Sequence, residues 1–150
     1  DAGSPAPVVQ IVDAGPPPIV TVGPARILEC HDSGSARTAP ADCDHPVAVE
    51  AAFANAITHT RSCAHGETGT IGFEADVSFL RKRNPIEVRA PHDERTLKSA
   101  ETARDCAVAV KHAWIDSMQV DGGTAVGALG SAAHAHGRYR MIITASYVAP

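Results

Sequence analysis

The sequence predicts an α+β domain: a small antiparallel sheet of about three strands, packed by two helices and stapled by disulfides. Three observations carry that expectation. Residues 47–63 and 99–114 repeat apolar side chains at three- and four-residue steps, the period of a helix with one buried face. Residues 71–79 and 139–148 alternate with period two, the mark of strands with one buried face. Two of the four cysteines, Cys63 and Cys106, fall one on each helical segment, with a strand pair between them.

The first helix begins around Asp44, His45 and Pro46, and proline suits a first helical position because its missing N–H costs nothing there. Val49, Phe53, Ala56, Ile57, Thr60 and Cys63 form its stripe, and Gly66 and Gly69 end it. Ile71, Phe73, Ala75, Val77 and Phe79 then alternate with Gly72, Glu74, Asp76 and Ser78. Arg81, Lys82, Arg83, Asn84 and Pro85 read as a turn, Ile86, Val88 and Ala90 as the inward residues of the return strand, and Pro91 as its stop. Ser99 is placed to cap the second helix, with Glu101 favourable in its first turn. Ala103, Cys106, Ala107, Val110, Ala113 and Trp114 form its buried stripe. Residues 121–137 are Gly/Ala-rich and read as a loop. In the last strand Tyr139, Met141, Ile143, Ala145 and Tyr147 share one face, while Ile142 and Val148 on the other indicate partial cover there too.

Two regions precede this unit. Residues 1–24 carry six of the eleven prolines, with β-branched islands at 8–12 and 19–22, and read as an extended arm or tether. Residues 25–46 read as a loop region closed by a disulfide, with a short strand expected at 27–30. The remaining 47–150 form the α+β domain.

Composition narrows the class. The chain has 150 residues, 44% of them apolar but only 4% aromatic. A core that thin needs help, and disulfides are the usual help in small secreted domains. A net charge of −4 without a broad basic face disfavours nucleic acid. No apolar run reaches the length of a membrane span. A start at Asp1, inside a Pro/Ala/Gly-rich stretch, has the look of a mature exported protein, and four cysteines agree with an oxidising compartment.

The order helix–strand–strand–helix–strand resembles the TonB C-terminal-like domains, in particular the cysteine-bearing AgmX/PglI C-terminal type of gliding bacteria. AFANAITHTRSC is similar to the helix that ends in cysteine, GTIGFEADVSFLRKRNPIEVRAP to a long hairpin, ETARDCAVAVKHAW to the second cysteine-bearing helix, and RYRMIITASYV to the closing strand. The resemblance spans residues 47–148. Ala64 stands where that branch has an aromatic residue, and the hairpin turn is basic, with Pro85, instead of Asp/Asn–Gly. The resemblance implies a periplasmic interaction domain that docks through a sheet edge and has no active site.

Four cysteines allow three pairings. The preferred one is Cys63–Cys106, joining two helices expected side by side, with Cys30–Cys43 as a local bridge; the alternatives are free thiols or a zinc site. A four-thiolate zinc site normally uses closely paired cysteines such as C-x-x-C, and the sequence has none. It also lacks the C-x-x-C-H of covalent haem, so no cofactor is expected. No G-x-S-x-G elbow is present; the DSGSA stretch at 32–36 has no strand feeding a helix. Glu74 and Asp76 are explained by the wet face of a strand, and no enzyme is expected.

The expectation is therefore an exported, non-catalytic interaction or structural subunit, periplasmic or extracellular, whose partners are other envelope proteins. It docks through a sheet edge and its Pro-rich arm. The last strand is the expected edge, with Tyr139, Met141, Ile142, Ile143 and Tyr147, joined by the basic knob Arg81, Lys82 and Arg83. Membrane contact is expected only through a lipidated cysteine ahead of Asp1, which would anchor the chain to an outer membrane. The alternative is a periplasmic metal-binding protein using His134, His136, His31 and His45, since imidazole and carboxylate together hold Zn, Ni or Cu.

Overall fold

Period-two alternation puts Ile71, Phe73, Ala75 and Val77 on one face of their strand, and all four are fully buried. Antiparallel pairing sets them against Ala145, Ile143, Met141 and Tyr139, so the two strands share one apolar face. In the computed structural model, which describes residues 19–32, 37–81, 83–119, 129 and 132–149, this pair is the centre of a five-stranded antiparallel sheet. The elements are β1 (Ile19–Val22), β2 (Arg26–His31), α1 (Val47–His59), β3 (Gly69–Ser78), β4 (Ile86–Arg89), α2 (Ala100–Met118) and β5 (Arg138–Val148). The strand order is β1-β5-β3-β4, with β2 also on β5.

The α+β class, the two helices, the hairpin and the closing strand agree with the sequence reading. The strand count and order do not. Five strands replace about three, because two strands precede α1. Ile19–Val22 pairs with the second half of β5 and Arg26–His31 with the first half. They act as one broken strand. Its break holds Gly23, whose N–H donates to the Thr144 carbonyl at 3.0 Å, and Pro24, which has no donor to offer a ladder. Residues 19–22, read as part of a free arm, thus belong to the domain's own sheet, and 25–46 contains a full strand. Residues 1–18, with the first β-branched island, lie outside the described residues.

Both helices cover the apolar face. Phe53 of α1 stacks on Trp114 of α2 with ring centroids 4.9 Å apart, and neither ring is exposed. Ser99 caps α2 as expected, accepting a hydrogen bond from the Thr102 N–H at 3.1 Å. α1 ends at His59, earlier than expected, and a 3-10 turn, Arg61–Ala64, carries Cys63. Disulfides join Cys63 to Cys106 and Cys30 to Cys43, with Cα atoms 5.1 and 6.1 Å apart; no described cysteine is free. The first clamps the end of α1 to the middle of α2. The second ties β2 to the start of the α1 approach.

Beyond β4 the chain turns over the opposite sheet face through a 3-10 turn at His92–Glu94. A Cβ added to Gly72 would lie 2.8 Å from the Glu94 carbonyl oxygen and 3.3 Å from Ile142 Cδ1. That turn covers Ile142, which is buried although it points away from the helices. Gly72→Ala must displace backbone, so it is expected to destabilise the fold by about 1–3 kcal/mol, seen as a lower urea midpoint.

Candidate interaction surface

The sheet face away from the helices is a lattice of opposite charges. Residues 74 and 76 of β3, 87 and 89 of β4, and 138 and 140 of β5 point the same way because their registers match. Glu74 Oε2 accepts from Arg89 Nη2 at 2.6 Å and lies 3.4 Å from Arg140 Nε. Arg138 donates Nε to Asp76 Oδ1 at 2.8 Å and Nη2 to the other oxygen. Glu29 of β2 lies 3.8 Å from Arg140 and 3.5 Å from Arg37. Lys111 of α2 reaches round β4 to Glu87 at 2.9 Å. Each carboxylate of the lattice has a cationic neighbour, and the Glu74 and Asp76 side chains are only 12% and 22% exposed beneath their arginines, so the face neutralises itself.

That lattice fixes a protonation state. Burial pushes the Asp76 carboxyl up, but the hydrogen bonds and charge of Arg138, with Arg81 and Arg140, outweigh it and leave the group below its ordinary 3.8. Asp44 is likewise lowered: burial is overcome by the Tyr139 hydroxyl, the Ala135 and Asp44 N–H groups and the charge of His136. A carboxyl held low in the fold contributes stability above its unfolded pKa and loses it as pH falls through the folded one. Unfolding free energy should therefore drop on acidification below about pH 4, and Asp76→Asn should flatten part of that slope in a pH series of urea melts.

Asp44 and Tyr139 form a second polar node, which sequence reasoning missed. The Tyr139 hydroxyl donates to Asp44 Oδ1 and accepts from the N–H groups of Ala135 and His136, both at 3.0 Å. Gly137 N–H donates to Asp32 Oδ1 at 2.9 Å, and His136 Nδ1 lies 3.5 Å from Asp32 Oδ2. The node knits the approach to α1 and the Cys30–Cys43 region to the segment before β5. Only Asp44 beside a helix start was visible in the sequence; its partner lies 95 residues away.

The histidines take separate positions. His134 stacks on Phe79 at 3.6 Å and donates to the Ala132 carbonyl at 2.8 Å. His136 packs edge-on to Tyr139. His45 pairs with Glu50 at 2.7 Å, and His31 sits in β2 opposite Arg138. Among the described residues no three His, Cys, Asp or Glu side chains converge as metal ligands would.

The expected docking strand requires correction. β5 is flanked by β3 on one side and by β1 and β2 on the other, so its ladder groups are already used. Tyr139, Met141, Ile142, Ile143 and Tyr147 are buried. Its helix-facing side chains are apolar because they line the core, while Arg138 and Arg140 on its other face pair with carboxylates of the neighbouring strands. Arg81 and Arg83 are exposed at the hairpin tip, where Arg81 Nη1 donates to the Asn84 carbonyl at 3.4 Å; Lys82 lies outside the described residues.

The sheet edges are elsewhere. β2 is partly covered by Thr38, whose N–H donates to the Cys30 carbonyl at 2.8 Å. β1 and β4 each pair on one side only among the described residues. Comparison of the chain with protein-family models, with curated proteins and with solved structures finds no match. No described helix is long and apolar enough to cross a membrane.

Proposed function

We propose that this chain is an exported, non-catalytic interaction or structural subunit of the cell envelope, of the kind implied by its resemblance to TonB C-terminal-like domains. It docks through a sheet edge, with β4 in the role first expected of β5, and the Pro-rich N-terminal segment contributes to assembly. The observation that carries this reading is β4 itself: a strand paired on one side only among the described residues, beside a basic hairpin tip, in a domain held by two disulfides. Disulfides of this kind support an oxidising, exported environment. The mutual neutralisation of the charged face supports a surface for contact over one for proton transfer. Strand addition at an edge gives affinity through main-chain hydrogen bonds.

The test is affinity capture from the source envelope by the wild-type chain and by Val88→Pro. In an antiparallel ladder the N–H groups alternate sides, and Ser78 N–H donates to the Pro85 carbonyl at 2.8 Å. Residues 85, 87 and 89 therefore bond inward to β3, and 86 and 88 face outward. Proline at 88 removes an outward donor and leaves the β3 ladder intact. Envelope proteins retained by the wild type and lost with Val88→Pro are expected. Identical captures by the two chains would overturn docking through β4.

A further inference from the structure

The edge segment Pro85–Ile86–Glu87–Val88–Arg89–Ala90–Pro91 has a property its neighbours lack. Read against itself in antiparallel sense about Val88, it places proline opposite proline, isoleucine opposite alanine, glutamate opposite arginine, and valine opposite valine. Resting on the reading of β4 as a docking edge, we infer that its occupant is a second copy of this chain. Two β4 strands pair antiparallel about a two-fold axis through Val88, joining the sheets of both copies into one.

The bonding directions agree with that register. Ile86, Val88 and Ala90 continue the outward set, so Val88 pairs with its own copy and Ile86 with Ala90 in both directions. Pro85 and Pro91 fall at inward-directed positions, so their missing N–H groups leave no gap in the new ladder. Glu87 and Arg89 fall in the closely spaced non-hydrogen-bonded pairs, where side chains interact most directly.

The side chains are accessible for that contact. The Arg89 and Glu87 side chains are 67% and 48% exposed. Arg89 commits Nε and Nη2 to Glu74, and Glu87 commits Oε1 to Lys111. Arg89 Nη1 is left to meet Glu87 of the second copy without breaking the Glu74 pair, while the Lys111–Glu87 bridge, which passes the outer edge of β4, opens to admit the second strand.

The helix beside the edge also supplies contact. Lys111 bonds Glu87, which sets that flank of α2 against β4. Val108 and Ile115 lie one turn to either side on the same flank, and Val108 is among the few large apolar side chains left exposed, at 53%. A two-fold axis through Val88 of β4 brings the flanks of both α2 helices together and covers them. Self-complementary patches are what a two-fold interface demands.

The experiment is sedimentation of the purified full chain with three variants. The wild type should be dimeric. Glu87→Arg sets like charges against Arg89 of the second copy, and Arg89→Glu does the same against Glu87; each should weaken self-association about tenfold or more. An equimolar mixture of Glu87→Arg with Arg89→Glu should recover the dimer, because each strand then meets its opposite. Val88→Pro should be monomeric with its thermal unfolding intact, which separates loss of pairing from loss of fold. A monomeric wild type, charge variants that dimerise unchanged, or a mixture that stays monomeric would each overturn self-pairing. A monomeric wild type whose envelope capture is still lost with Val88→Pro would overturn only the second copy as occupant and leave docking through β4 standing.

Discussion

Replacing Cys63 and Cys106 together by alanine is expected to lower the unfolding free energy by about 4 kcal/mol. The bridge spans 43 residues of sequence, and the free-energy gain from closing a loop in the unfolded chain grows slowly with its length. The double replacement of Cys30 and Cys43, 13 residues apart, should cost about 3 kcal/mol by the same reasoning. Domains of this size are stabilised by only about 5–15 kcal/mol, so the longer bridge holds a large share of the total. Its loss leaves the C-terminal end of α1 to be held on α2 by packing, such as the Phe53–Trp114 stack toward the other end. Urea melts of the two double variants against the wild type check both size and order. Equal stability of the wild type and the Cys63/Cys106 variant would show that the helices are held by packing alone.

Raising the pH past 10 is the second large effect. The chain has two tyrosines, and both are fully buried. Burial raises the Tyr139 phenol first, the bond to Asp44 adds to it, and the N–H groups of His136 and Ala135 oppose it; the outcome is pushed up to about 12. Burial alone pushes Tyr147 well above the ordinary phenol value of 10.0. A group raised in the fold contributes stability in full below its unfolded pKa and loses it as pH climbs toward the folded one. Stability should therefore fall from about pH 10 upward, and the tyrosinate absorption band should appear together with unfolding. Tyr139→Phe should be less stable at neutral pH by about 1–3 kcal/mol, because Asp44 and two N–H groups lose their shared partner. A tyrosinate signal at pH 10 in the folded chain would show that the hydroxyls reach solvent.

Much of the fold could be read from short-range patterns. The stripes of α1 and α2, the alternation of β3 and β5 and the Ser99 cap are all set within a few residues. The disulfide partners followed from placing the two helices side by side. Position within the sheet could not be read, because it depends on which distant segment fills each side of a strand. β5 looked like an edge because its apolar face was clear and its neighbours were not. Ile142 signalled cover on the charged face, where it is buried, but Val148 on the same face is 46% exposed, and cover of a face does not tell which strands flank it. β1 and β2 were obscured by Pro18 and Pro24, which suggest an unpaired chain, although Pro24 stands in the break between the two strands. The candidate surface was legible as residue types, since Glu74, Asp76 and the Arg81–Arg83 knob stood out. Their pairing was not, because each arginine finds its carboxylate on a neighbouring strand.

The central place of β5 also dictates when this domain can exist. Every other strand except β4 hydrogen-bonds to it, and in chain order it comes last. Until Arg138–Val148 is available, β1 and β2 have no ladder to join and β3 has only the short β4. A ribosome or an export channel that releases the chain from its beginning thus handles an open polypeptide for most of its length. The sheet then closes late and at once, through contacts far apart in sequence, which is the slow class of folding event. An early stop ahead of Arg138 would leave thiols without the geometry that pairs them, so oxidative folding and completion of synthesis are tied to the same eleven residues.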